Sequence, residues 1–205
     1  MSVRDILVPM LRERFPDRGL QLGSAPGPIA VFPAAHPDVG SASVASSGDD
    51  SGVDVAVGGV ARDSFFNPYE DEQGTVAAAQ GIAQNVVRFL EELFADRLLM
   101  WRSDDGATLG WRERGEAGHS APLVVDDRVY HTYIWTRPLG TWQATPTILA
   151  RGRIVDDREY EIMVQRATDD GPDRLPPGQR DLARHLVAEY EREIRAQRSA
   201  EGGPG

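Results

Sequence analysis

An α+β fold built on a mostly antiparallel sheet is predicted by three features of the sequence. There is one long amphipathic stretch, a set of short apolar or alternating runs, and turn chemistry close enough between those runs to make hairpins. The expected order is an N-terminal helix, strands, a long central helix packed on the sheet, a hairpin-rich second half and a C-terminal helix.

The stretch Thr75–Trp101 carries most of this reading. Ala79, Ile82, Val86, Phe89, Leu90 and Leu93 recur at steps of three and four, which keeps them on one helical face. Gln80, Gln84, Arg88 and Glu91 fall on the other face. After Asp96-Arg97 the pattern changes to the continuous run Leu98-Leu99-Met100-Trp101, which is too short for a helix and reads as a buried strand. Ser103-Asp104-Asp105-Gly106 turns it back into residues 108–113. A two- or a four-residue loop gives the same facing, with Leu98, Met100, Leu109 and Trp111 on one side and Leu99, Trp101, Gly110 and Arg112 on the other.

Upstream, residues 2–15 read as a helix with Ile6, Leu7, Met10 and Leu11 inward and a Ser2/Asp5 capping box. Pro9 lies too deep for the first turn and is expected to kink or restart it. Ile29-Ala30-Val31-Phe32 reads as a strand. Residues 41–46 and 53–57 read as a hairpin with Val53, Val55 and Val57 inward. Gly58-Gly59 marks a bulge or a close backbone approach. Asn67-Pro68-Tyr69-Glu70 suggests a short turn at 68–72, with the main helix starting near Thr75.

In the second half, residues 125–130 and 155–160 match at five of six positions, Val-Asp-Asp-Arg-x-Tyr. Two similar hairpins with Asp-Asp turns are expected. The second would pair Ile154 with Tyr160, Gly152 with Ile162 and Ala150 with Val164. Residues 168–178 have linker composition, and a helix over about 178–197 places Leu182, Leu186, Tyr190 and Ile194 on one stripe. Residues 1–197 are expected to form one globular domain, divisible into halves at 1–115 and 116–197, with 198–205 a disordered tail.

Composition excludes several chemistries. The chain has no cysteine, and all 22 of its basic residues are arginine. Thiolate catalysis, cysteine-ligated zinc, lysine Schiff bases and lysine-anchored cofactors are therefore absent. A net charge of −10 repels phosphate backbones and anionic lipid, so nucleic acid and membrane are not expected partners. Neither a secretory signal nor an 18-residue apolar run is present, and the expected location is the cytoplasm.

No catalytic constellation or cofactor motif emerges. The serines lie outside Gly-x-Ser-x-Gly contexts, and Gly58-Gly59 does not extend into a nucleotide loop. His36 and Asp38, in a His-Pro-Asp turn, are the best pair for a metal or general base, and they would need a third and a fourth ligand, from His119, His131 or Asp54, to join them. The same three residues also make an ordinary turn. The Asp-Asp pairs read as solvated turns, because neighbours in a strand point to opposite faces. Val129, His131, Tyr133 and Trp135 form an alternating ladder that continues into Arg137 and Trp142. If exposed, Tyr133, Trp135, Arg137 and Trp142 would make a protein-binding patch, since such residues dominate interface hot spots; if buried, they are core. The expected function is therefore non-catalytic binding of another protein, a basic one by charge, as an adaptor, inhibitor or immunity-type partner. The alternative is a metal-assisted hydrolase using His36 and Asp38.

Overall fold

The computed structural model describes residues 2–24, 27–47, 52–67, 75–115, 121–123, 126–171 and 174–201. It is α+β, with two antiparallel sheets and helices at the N-terminus, centre and C-terminus. The chain divides into two compact units. The first holds Met1–Pro122 and Tyr130–Thr141, and the second Leu123–Val129 and Trp142–Gly205. The expected boundary at 115/116 abuts residues 116–120, which lie outside the described set.

The first unit opens with α1 (Val3–Arg14). Ser2 and Asp5 form the capping box, and Val3, Leu7 and Leu11 are buried. The helix passes Pro9 without restarting. Pro9 forfeits one backbone bond, and the cap together with the buried face outweighs that loss.

Strands β1 (Gln21–Leu22), β2 (Ala30–Phe32), β3 (Ala42–Ser46), β4 (Gly52–Val57) and β5 (Ala61–Phe66) make the first sheet in sequential order. Val53, Val55 and Val57 face the core as the alternation required, and Val44 pairs with Val55. The turn of that hairpin falls at 48–51 and the proposed short turn at 68–72, both outside the described residues. Gly58 is a close approach. Its φ is +50°, and a Cβ there would lie 2.1 Å from the Val39 carbonyl oxygen.

Two strands of this sheet were not legible. β1 has only two residues. In β5, Ala61, Asp63 and Phe65 point one way and Arg62, Ser64 and Phe66 the other, so both faces mix polar with apolar and the period-two signal cancels.

Helix α2 (Val76–Phe94) is capped by the Thr75 hydroxyl, which accepts from the Ala78 N–H, and it buries Ala79, Ile82, Val86, Phe89, Leu90 and Leu93. Its last ring, Phe94, is the hub of an aromatic cluster, edge-on to Phe15 and Phe32 and tilted against Trp135. Phe32 lies 5.0 Å away, Phe15 5.2 Å and Trp135 5.2 Å.

The second sheet has the order β7-β6-β8-β9, from β6 (Leu98–Ser103), β7 (Leu109–Glu113), β8 (Tyr130–Ile134) and β9 (Arg137–Trp142). Met100 pairs with Trp111 and Trp101 with Gly110, so the facing agrees with the sequence pattern.

The second unit corrects both expected Asp-Asp hairpins: among the described residues no strand lies between β7 and β8, so Asp126-Asp127 joins no pair of strands, and 150–164 is helical. Helix α3 (Ala144–Arg151) ends at Gly152, whose φ of +73° makes the left-handed cap. Helix α4 (Asp157–Thr168) starts at Asp156, whose carboxylate accepts the Glu159 N–H at 2.9 Å. Ile148, Ile154, Ile162, Met163, Ala167, Ala183 and Leu186 form its core. The alternation of Ile148, Ala150, Gly152 and Ile154 imitated a strand, whereas Asp156 three residues before Glu159 was a helix-start signature. Helix α5 (Pro177–Glu201) continues four residues past its expected end, with the Ser199 hydroxyl donating to the Arg195 carbonyl.

Candidate functional site

The residues singled out from sequence do not converge. His36 and Asp38 form a local turn: the Asp38 N–H donates to His36 Nδ1 at 3.2 Å, and the Asp38 carboxylate lies 3.8 Å from the same nitrogen. Asp54 sits on β4, engaged by the Ser64 hydroxyl at 2.6 Å and by Arg62 at 3.1 Å. The Ser64 hydroxyl above all, with Arg62, holds the Asp54 carboxyl below its usual range. Among the described residues, no three His, Asp or Glu side chains gather in a way that could hold a metal ion.

The aromatic ladder is also divided. Tyr133 (7% exposed) and Trp135 (2%) belong to the core of the first unit, whereas Trp142 is half-buried against the core of the second. Arg137 is exposed at the start of β9. Tyr133 shares the Met100 face of the sheet and Trp135 lies in the following turn against Phe94, so both rings are used for packing. His131 stands apart from them, with Nε2 at 2.5 Å from the Asp104 carboxylate.

The site with the most chemistry lies wholly within the second unit and was not anticipated. It is a cavity of about 590 Å³ bounded by α3, the segment 174–176 and the start of α5. Pro146, Leu149, Ala150, Leu175, Pro176 and Leu182 supply apolar walls, and Asp127, Gln143, Thr145, Arg166, Arg174 and Gln179 supply polar groups. A concave site of this size that sets apolar walls beside placed polar groups is suited to receiving a ligand.

Asp127 organises one side of it. One carboxylate oxygen accepts the Thr145 N–H at 2.7 Å, at the N-terminus of α3, and the other accepts from Arg166 Nε at 2.6 Å. The Gln143 side-chain amide donates to the Asp127 carbonyl at 2.9 Å. The Asp127 side chain is only 10% exposed and that of Arg166 22%, so this Asp-Asp member is a built ion pair and not the solvated turn its neighbours suggested. The repeated Val-Asp-Asp-Arg element thus serves helix N-termini in both copies, α3 through Asp127 and α4 through Asp156.

Among the described residues, the lining groups of Thr145, Arg174 and Gln179 remain unmatched. Thr145 is 3% exposed, and its hydroxyl has no hydrogen-bond partner among the described residues. Arg174 is exposed and makes no ion pair among the described residues. Since Asp127 and Arg166 neutralise each other, the cavity carries one excess positive charge, at Arg174. The signal was present in Arg174-Leu175-Pro176, inside a segment whose Gly, Pro and Asp content otherwise reads only as a linker.

Fold and cavity together define an α+β protein with a half-apolar, singly cationic pocket in its C-terminal unit. A scan against protein-family models finds no match, and searches of curated proteins and of solved structures find none either.

Proposed function

We propose that this protein acts by binding another protein without catalysing a reaction, in the cytoplasm, and that the partner engages the C-terminal unit at the α3/α5 cavity. The observation that carries the reading is Leu182. It belongs to the apolar stripe of α5 yet is 39% exposed, and it lines a cavity whose apolar walls include Leu149 and Leu175. An apolar side chain left open over an apolar pocket suits an inserted group from a partner. The aromatic residues at 133 and 135 no longer contribute, since they are core. The charge of −10 favours a basic partner through steering and disfavours nucleic acid. The hydrolase alternative would need a third ligand beside His36 and Asp38, and Asp54 is engaged elsewhere by Ser64 and Arg62.

The test is co-purification from the native cell with the parent chain and with Leu182→Glu, a surface change that leaves the core cluster intact. A partner retained by the parent and lost with Leu182→Glu is the expected result. A partner held equally by both moves the interface elsewhere on the surface, and a parent chain that enriches nothing removes the binding reading.

A further inference from the structure

The geometry points to a free C-terminal carboxylate carrying an apolar last side chain as the group that the α3/α5 cavity receives; this rests on the protein-binding reading above. The lining has two chemically distinct parts. Leu149, Leu175 and Leu182 form a wall suited to one aliphatic or aromatic side chain. Arg174, on the same lining, carries the charge that nothing among the described residues neutralises. A guanidinium pairs best with a planar, two-oxygen anion, which it can hold through two parallel N–H donors.

Arg166 lines the cavity too, but its charge is already met by Asp127, so a second anion is not called for there. One positive charge beside one apolar wall matches a ligand with one negative charge beside one apolar group. A protein chain offers that combination within a single residue only at its C-terminus, where the main-chain carboxylate and the last side chain leave the same Cα. An internal Asp or Glu places its charge at the tip of the inserted side chain, against the leucine wall. A basic partner with such an end satisfies both levels of charge, because its body is attracted by the net −10 while its terminus meets the local arginine.

The experiment is a titration of the full-length ¹⁵N-labelled protein with acetyl-Gly-Ala-Leu as the free acid, as the C-terminal amide, and with hexanoate as a carboxylate lacking a peptide. The expected result is saturable shifts of the Thr145, Leu149, Leu175 and Gln179 amides with the free acid. The amide should bind about tenfold or more weakly, as should the free acid to Arg174→Gln, since each loses a charge-assisted pair. Hexanoate should be weaker than the peptide acid. Equal binding of acid and amide, or no loss with Arg174→Gln, overturns the carboxylate while leaving the protein-binding reading to the Leu182→Glu comparison. Hexanoate binding as tightly as the peptide acid overturns the choice of a protein terminus and makes the cavity a small-molecule site. Absence of shifts with all three probes overturns the inference outright.

Discussion

Asp96 holds Thr136 with both carboxylate oxygens, accepting the Thr136 N–H at 3.0 Å and the Thr136 hydroxyl at 2.6 Å. Asp96 follows α2 with a φ of +58°, a left-handed conformation that costs a non-glycine residue about 1–2 kcal/mol. The two bonds offset that cost and fasten the β8–β9 turn to the end of the central helix. Asp96→Ala should therefore lower stability by about 1–3 kcal/mol. Asp96→Gly should cost less, because it loses the same bonds but relieves the backbone. Urea unfolding of the two variants checks the order, and a glycine variant less stable than the alanine one would contradict it.

Gly110 is fixed by Trp101 on the neighbouring strand. A Cβ at position 110 would lie 2.7 Å from the Trp101 ring, closer than real contacts allow. Gly110→Ala should displace the indole, with a loss of about 1–3 kcal/mol and a change in tryptophan emission or near-ultraviolet dichroism. An unchanged spectrum would mean the ring does not cover that glycine.

Asp54 and Asp63 sit on paired strands with opposite titration behaviour. Burial pushes the Asp63 carboxyl up, against hydrogen bonds from the Ser64 N–H and the Trp111 indole. Its ionised form therefore weakens the fold: the stability it allows is present below the unfolded value of 3.8 and lost as pH rises through the folded value. For Asp54, held low, stability is present above the unfolded value and lost as pH falls through the folded one. Asp63→Asn should thus be more stable than the parent at pH 7, with the gap closing on acidification. Asp54→Asn should be less stable at pH 7, its deficit also shrinking in acid. Melting curves across pH 3–7 decide both signs.

Removing Asp127 takes away the nearer carboxylate of Arg166, leaving Asp169 at 3.9 Å, and frees the Thr145 N–H. Loss of one partner from a buried pair costs roughly 3–5 kcal/mol, and the exposure of Arg166 places Asp127→Ala toward the lower end. Replacing both partners, as Asp127→Asn with Arg166→Met, should recover part of that loss in denaturant unfolding.

Much of the first unit was legible because its signals are local and mutually consistent. The helix start near Thr75, the three-and-four spacing through Leu93 and the shared facing of Met100 and Trp111 follow from turn chemistry and periodicity. β5 escaped because Asp63 lies on the inward face, where the Ser64 N–H and the Trp111 indole of the second sheet make a carboxylate tolerable. The segment 150–164 escaped because a helix end at Gly152 and a helix start at Asp156 interrupt two apolar runs at a spacing that imitates alternation. The cavity was hidden for a different reason. Its lining comes from residues around 127, 145, 166, 174 and 182, so the pairing of Asp127 with Arg166 spans 39 positions and leaves no trace in a local window.

The division of the chain between its units also bears on the order in which the protein can assemble. The first unit is not complete at Pro122, since β8 and most of β9 return to it at Tyr130–Thr141 after an excursion of seven residues into the second. β6 pairs with β7 along one edge and with β8 along the other, so a chain that lacks β8 leaves the second edge open. An unpaired strand edge is a template for a neighbouring chain. A chain truncated at Pro122 would therefore present Leu98–Ser103 with one bare side, and it should aggregate where the same chain extended through Trp142 would not.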